Sequence, residues 1–199
     1  STADRCYVDP ALGCFVLPRP SYWSKMDDST TISSPEISDY DSVVTTNGTT
    51  SNISFDTGKF GTCLKFGSAV SQKYYTIAPV GTYGTCDKGT LSYWQKLGTG
   101  CSCKLAFGGD RNYILLTPTL ASLYIAGILS TSTAISIPSS GSFAHIYLIW
   151  DITNTVDGTN HIKLCVNNST TIVSTATWLS NYFYIKIADI WSLPYSTPD

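Results

Sequence analysis

Apolar residues along this chain alternate with polar ones or form short continuous runs, and Gly, Asn, Asp, Ser or Pro bounds each segment. A period of two predicts β-strands, and no segment shows a comparable helical period. Leu91 and Tyr93, on either side of Ser92, are typical of a half-buried strand. Apolar residues occupy both parities in three segments: 113–116, 123–129 and 146–150. These segments predict strands covered on both faces, as in two stacked sheets.

Two further segments shape the predicted topology. Residues 162, 164 and 166 are apolar and share one parity, and Asp157-Gly158 before them is a hairpin signal, which together predict strand, tight turn, strand. Residues 27–57 are rich in Ser, Thr, Asn and Asp, which predicts an irregular loop with at most one edge strand. No repeat or linker divides the chain, so we expect one domain over residues 21–199 and a short hairpin extension over residues 1–20.

Composition restricts the classes of partner. Only 13% of the 199 residues are charged and 43% are hydrophobic, so Ser, Thr and Asn must cover the surface, as in many extracellular β proteins. The net charge is −2 and the basic residues are scattered, which disfavours nucleic acid as a partner. No apolar run is long enough for a membrane span. The chain begins Ser-Thr-Ala-Asp, which fits either a mature end left by signal-peptide removal or an arbitrary boundary.

Seven cysteines favour an exported protein with structural disulfides over a metal site, since there is no Cys-x-x-Cys pair. Cys6 and Cys14 flank a turn sequence that would bring two short strands together, so a bridge there is reasonable. Cys86 with Cys101 or Cys103 is the next candidate pair. The odd number leaves at least one thiol free or paired with another chain. We therefore predict a secreted, extracellular protein.

Several segments, in this order, resemble the laminin-G-like or concanavalin-A-like family over residues 21–197. They are YWSKMDD (22–28), GKFGTCLKF (58–66) followed by YTI (75–77), GTLSYWQK (89–96), FAHIYLIWD (143–151) with the hairpin after it, and ADIWSL (188–193). The resemblance implies an all-β fold, an antiparallel two-sheet jelly-roll sandwich with ligand loops at one edge. It does not imply a single function, because members of this fold bind, adhere, hydrolyse or assemble.

Catalysis is disfavoured by the residues present. Glycosidases of the fold that this chain resembles carry a Glu-x-Asp-x-x-Glu motif on a strand, because their chemistry needs paired carboxylates. This chain has one glutamate, Glu36. A serine hydrolase needs a positioned histidine base, and no Gly-x-Ser-x-Gly segment occurs. His145 and His161 lie in or beside strand-like segments, where we interpret them as structural. The sequence therefore predicts that the protein is not an enzyme.

Two binding chemistries are open. Calcium could be held at a loop edge by Asp110, after Gly108-Gly109, and by Asp157, although both are also ordinary turn residues. Carbohydrate binding would combine an exposed aromatic ring with amide side chains. The candidate residues for it are Trp178, Asn181, Tyr182 and Tyr184. N-glycosylation sequons occur at Asn47, Asn52, Asn167 and Asn168.

Two functions of different classes follow. The first is an extracellular, non-catalytic recognition or adhesion module that binds a glycan or a protein at the cell surface. The alternative is a structural subunit or globular head of an extracellular filament, pilus-like or fibre-like, built from copies of itself or docked onto a separate filament-forming chain. The N-terminal hairpin would then be the docking segment.

Overall fold

The computed structural model describes the following residues: 8–9, 13–14, 22–23, 37–38, 40–46, 53–66, 73–79, 87–98, 101–107, 111–137, 142–178 and 185–190. Their regular structure consists of seventeen β-strands, and no helix occurs within these ranges. Every strand pair recorded among them is antiparallel. The predicted all-β, antiparallel fold class is thus confirmed.

The larger sheet has seven strands in the order β13-β12-β11-β10-β17-β8-β5. In chain order these are β5 (Tyr40–Thr46), β8 (Lys73–Pro79), β10 (Ser102–Phe107), β11 (Tyr113–Leu116), β12 (Leu120–Ile125), β13 (Ile128–Ala134) and β17 (Ile185–Ile190). Strand β17 lies between β10 and β8, so the last described strand joins the two halves of this sheet.

The smaller sheet has four strands in the order β16-β15-β14-β9. They are β9 (Lys88–Gln95), β14 (Ala144–Asp151), β15 (Ile162–Val166) and β16 (Ser169–Ser174). Three two-stranded ladders complete the list: β1 (Val8–Asp9) with β2 (Gly13–Cys14), β3 (Tyr22–Trp23) with β4 (Ile37–Ser38), and β6 (Ile53–Thr57) with β7 (Thr62–Phe66).

Both sheets contribute to one hydrophobic core, which is what makes the fold a sandwich. Along β14 the side chains alternate between buried and half-buried positions, as a period of two requires when one face packs inward. The fully buried aliphatic side chains are Leu105, Ile114, Leu116 and Leu123 from the larger sheet and Ile146, Leu148, Ile162 and Leu164 from the smaller. Each contributes roughly 1.5–3 kcal/mol by leaving water.

Two hairpin turns require left-handed backbone. Ala126 and Gly127, with φ of 53° and 82°, join β12 to β13, and Asn167 and Asn168, with φ of 49° and 65°, join β15 to β16. Positive φ at both loop residues defines type I′ turns, which match the twist of paired strands. The prediction of one strand covered on both faces over residues 123–129 was therefore wrong, because the chain reverses in the middle of that segment.

Two other predictions about connections need correction. The link between β14 and β15 spans residues 152–161, so Asp157-Gly158 forms one turn within a longer loop and does not join the strands directly. The tract 27–57 was predicted to be a loop with one edge strand; β5 is such a strand because it ends the larger sheet, but the tract also contains β4 and β6. Valine and threonine on β5 have high strand preference, and pairing with β8 outweighs the polar composition.

The predicted N-terminal hairpin is present as the β1–β2 ladder, in which Val8 pairs with Cys14. The division at residue 20 stays a prediction. Within the described ranges, no helix has the length and apolar character that crossing a membrane would require.

Candidate functional site

The outer face of the four-stranded sheet carries a group of aromatic side chains. Cross-strand register places Trp94 of β9 opposite His145 of β14, and Ser92 opposite Tyr147. The Trp94 and His145 rings lie 5.0 Å apart, and the His145 and Tyr147 rings lie 6.5 Å apart. Trp94 is 41% exposed, although tryptophan usually buries most of its surface. A large ring at this position is available to a ligand.

The tip of the β6–β7 hairpin adds a further ring to this face. A tight turn, closed by a 2.7 Å bond from the Gly58 amide to the Gly61 carbonyl, presents Phe60 with 76% exposure. The Phe60 ring meets Trp94 edge-on with 6.0 Å between centroids. Leu64 packs against the core and holds the hairpin in place. We call the group formed by Phe60, Trp94, His145 and Tyr147 the aromatic surface.

Polar contacts fix the imidazole within the aromatic surface. Ser92 Oγ and His145 Nε2 lie 2.9 Å apart. The His145 backbone amide donates to Asn167 Oδ1, and the Asn167 amide donates back to the His145 carbonyl, each at 2.9 Å. These two bonds tie β14 to the β15–β16 turn, so the ring is presented from a rigid backbone.

The Ser92–His145 contact raises the question of nucleophilic catalysis, which sequence reasoning had set aside. A hydrolytic serine needs its histidine oriented by a third group and donors placed for the oxyanion. Within the described ranges no carboxylate contacts His145 Nδ1, and β14 amides are committed to ladders with both β9 and β15. The pair is better suited to hydrogen bonding with a ligand hydroxyl than to acyl transfer.

A shallow depression of about 310 Å³ lies at the other end of the same two strands. The side chains and backbone that line it are those of Lys88, Gly89, Thr90, Ile149, Trp150, Asp151, Thr155 and Val156. Trp94 lies six positions after Lys88 along β9, which corresponds to roughly 20 Å along an extended strand. The depression and the aromatic surface therefore form the two ends of one elongated face.

A second aromatic group, on the larger sheet, lacks these properties. Tyr113 and Tyr124 stack face to face with 4.6 Å between centroids, and the Lys104 ammonium lies 4.2 Å from the Tyr113 ring centre. Tyr113 is buried. Each ring covers one face of the other, and neither is exposed, in contrast to Trp94.

The sequence-predicted sugar site is only partly within the described residues. Trp178 is 9% exposed and packs edge-on against Phe107, with ring centroids 5.4 Å apart. The exposed ring expected at position 178 is thus a core side chain, because the inner face of the sandwich covers it. Asn181, Tyr182 and Tyr184 lie outside the described residues.

The predicted calcium ligand Asp157 has a structural role in its loop. Its Oδ1 accepts from the Thr159 and Asn160 amides at 3.2 and 2.8 Å, and the Asn160 side chain bonds both carboxylate oxygens. The Asn160 amide in particular lowers the pKa of this carboxyl. Among the described residues no three His, Cys, Asp or Glu side chains are grouped as a metal site. Asp110 lies outside the described residues, so calcium there stays a prediction.

The cysteine predictions are tested only in part. Cys63 and Cys165 are free thiols. Burial raises the pKa of the Cys63 thiol, and the nearby Asp56 carboxylate adds to the effect. Cys103 lies on the inner face beside Tyr93, whose pKa rises well above its usual value mainly through burial. Cys6 and Cys86 lie outside the described residues, so the bridges from Cys6 to Cys14 and from Cys86 to Cys101 or Cys103 stay predictions.

Two overlapping sequons, at Asn167 and Asn168, lie within the described residues. Asn168 is exposed in the β15–β16 turn, whereas Asn47 and Asn52 lie outside the described residues. Its position at the tip of a hairpin leaves the side chain accessible for modification.

The aromatic surface was not identified from the sequence. One signal for it was present in the alternation of residues along the strands. Ser92 and Trp94 lie on the face of β9 opposite to Leu91 and Tyr93, and His145 and Tyr147 lie together on one face of β14. If these two strands are taken to pair, the polar and aromatic residues of both lie on the same outward face of the sheet. The register that brings them together, and the approach of Phe60, are tertiary facts.

No protein-family model and no curated protein sequence matches the chain. Among solved structures, the metal-free carbohydrate recognition domain of Emp46p is 13% identical, aligns over 85% of this chain and 86% of that one, and has a TM-score of 0.48. The carbohydrate recognition domain of Emp47p is 11% identical over 79% and 82% of the chains, with a TM-score of 0.47.

A third solved structure is the carbohydrate binding module CBM66 from Bacillus subtilis. It is 12% identical, aligns over 74% of this chain and 90% of that one, and has a TM-score of 0.43. With TM-scores below 0.5, these likenesses carry no argument about what the chain binds.

Proposed function

We propose that this protein is an extracellular, non-catalytic carbohydrate-binding module whose ligand stacks on the aromatic surface. The observation that carries the proposal is the exposed Trp94 ring, flanked by Phe60 and by the hydrogen-bonding His145, on an otherwise rigid sheet. Aromatic rings cover the apolar face of a sugar, and imidazole and hydroxyl groups orient its hydroxyls. The low charge and hydroxyl-rich composition support an extracellular setting.

The elongated shape of the face favours an oligosaccharide over a monosaccharide. Stacking at Trp94 engages one end, and the depression beside Lys88 and Asp151 lies about 20 Å away on the same strands. A short chain of sugar rings would contact both ends at once. Binding should therefore strengthen with chain length until the ligand reaches the depression.

Assembly by strand addition is less favoured at two of the sheet edges. Strands β13 and β16 end their sheets in the described strand order, and neither contains a charged residue or proline. Each nevertheless has a one-residue bulge, at Ser130 and Thr171, where the register shifts. Bulges twist an edge away from a further strand and protect it against pairing. The filament alternative stays open at the β5 and β9 edges, whose ladders show no bulge, and for the segments outside the described residues.

The test is a glycan array followed by calorimetric titration of the oligosaccharides that bind. Replacing Trp94 with alanine should weaken binding roughly tenfold or more, as loss of a central tryptophan does in recognition sites. The matched control is Tyr124→Ala, which removes an aromatic ring from the outer face of the other sheet. It should leave affinity unchanged.

Three results would count against the proposal. The first is the absence of any glycan ligand, and the second is equal affinity of the Trp94→Ala variant and the parent protein. The third is hydrolysis of a bound glycan or ester that is lost in Ser92→Ala, which would mean that the Ser92–His145 pair is catalytic. Native material found only as filaments would favour the structural-subunit alternative.

A further inference from the structure

The aromatic surface lies in a locally cationic region of a protein whose net charge is negative. The Lys59 ammonium is 5.0 Å from the centre of the Trp94 ring, and Lys96 follows β9 with its ammonium 5.9 Å from the Phe143 ring. Nearby, Lys65 pairs with Asp56 at 2.7 Å. Within the described ranges neither Lys59 nor Lys96 forms an ion pair with a carboxylate, although Lys96 is close enough to Asp56 to help lower the pKa of that carboxyl. Among the described residues, three lysines and one carboxylate therefore lie beside the rings, against a net charge of −2 for the whole chain.

The position of Lys59 has a consequence for any sugar that stacks on Trp94. Its ammonium occupies the region above the ring face, where a cation is attracted by the ring quadrupole. A neutral sugar that stacks there must displace this cation and offers it no ionic partner in return. A sugar that carries an acid group can stack on the ring while its anion pairs with the displaced ammonium, which is a stronger, charge-assisted contact.

We propose that the aromatic surface selects anionic oligosaccharides, with Trp94 stacking on a sugar ring and Lys59 pairing with a carboxylate or sulfate group on that sugar. This inference rests on the proposed carbohydrate-binding function. Lys59 stands on the exposed tip of the β6–β7 hairpin, so its side chain can turn from the ring to the ligand without moving the sheet. Lys96 adds to the attraction from the end of β9.

The experiment compares ligands that share a backbone and differ in charge. Calorimetric titrations at 50 and 300 mM NaCl would use oligogalacturonate, its methyl ester, and a pair of sulfated and unsulfated dextran oligosaccharides. We expect the acid to bind more tightly than its ester by about three- to fivefold at low salt, the size of one exposed ion pair. The difference should shrink at high salt, because exposed charges are screened. The sulfated pair shows whether sulfate can replace carboxylate.

The Lys59→Gln variant should affect acid binding and ester binding in different ways, which the loss of a purely structural lysine would not do. It should lose the preference for the acid, and it should bind the methyl ester as well as or better than the parent protein, since a competitor for the ring face has been removed. The matched control is Lys104→Gln, which removes the same cation from above Tyr113 on the other sheet. It should change neither affinity.

The outcomes separate the two proposals. Equal binding of acid and ester, both lost in Trp94→Ala, would overturn the charge preference and leave carbohydrate binding intact. An equal loss of both ligands in Lys59→Gln would also overturn it, because the lysine would then only support the ring. If no oligosaccharide binds, or if Trp94→Ala binds as the parent does, both proposals fail.

Discussion

Replacing Gly89 with alanine tests how tightly a core tryptophan packs across β9. A Cβ at this position would lie 2.3 Å from Cζ2 and 2.6 Å from Cη2 of Trp150, its cross-strand partner. Ordinary carbon contacts are about 3.5–4.0 Å, so the ring would have to retreat by about 1 Å. Trp150 is 1% exposed, and its ring contacts Phe107 with 5.5 Å between centroids, which leaves it little room.

The expected cost follows from this geometry. Overpacking of a core costs about 1–3 kcal/mol, and we expect the upper end because the contact is with a fixed ring. Alanine also lowers the conformational entropy of the unfolded chain relative to glycine, which offsets about 0.4–1 kcal/mol of this destabilisation. The net loss in the free energy of unfolding is then about 2 kcal/mol, or roughly 4–8 °C in Tm for a domain of this size.

Urea unfolding followed by tryptophan fluorescence and circular dichroism would measure this loss. The decisive comparison places Gly89→Ala in a Trp150→Phe background, because the shorter phenyl side chain lacks the outer benzo ring of the indole that carries Cζ2 and Cη2. The penalty should then fall below about 1 kcal/mol, a coupling typical of residues in direct contact. Thr90→Ala, at the exposed neighbouring position, is the control and should cost less than about 0.5 kcal/mol. An undiminished penalty in the Trp150→Phe background would refute the reasoning.

Two other predictions concern the turns. Ala126→Asn should raise the free energy of unfolding by about 0.5–1 kcal/mol, because asparagine tolerates the positive φ of this type I′ turn better than alanine; a decrease in chemical denaturation would contradict it. The pKa of Asp151 lies below its usual value of 3.8, chiefly because the Thr153 hydroxyl donates a hydrogen bond to the carboxylate. The ionised carboxylate therefore stabilises the fold above about pH 3.8, and this stabilisation is lost as the pH falls through the lowered pKa. Asp151→Asn should therefore flatten the acid limb of a stability–pH profile below about pH 4 while leaving its slope near neutrality unchanged, and an unaltered acid limb would disprove the assignment.

Period-two patterns identified most of the central strands correctly. The alternation at Leu91 and Tyr93 appears in the structure as the inner face of β9, and the 162–166 pattern appears as β15. These assignments succeeded because a strand buried on one face must alternate, whatever its partner. Strand β5 fits the one edge strand expected in the tract 27–57, but its partner β8 could not be predicted because composition does not reveal strand pairing.

The sequence did not predict which tryptophan ring of the protein is exposed at the candidate site. Trp178 and Trp94 are the same residue type in similar polar surroundings, yet one packs on Phe107 inside the sandwich and the other faces solvent. Which ring is exposed depends on the sheet face it occupies, and this is set by register and by the packing of the second sheet.

The amino-acid sequence by itself determined that this is an all-β protein of low charge, since strand periodicity and composition are local properties, whereas the antiparallel sandwich was implied by the family resemblance. Only the tertiary structure placed Trp94 beside His145 and brought Phe60 and Lys59 over them, although these residues come from β9, β14 and the β6–β7 hairpin. Residues far apart in the chain become neighbours through cross-strand pairing and hairpin docking, and no local pattern records which strands will pair.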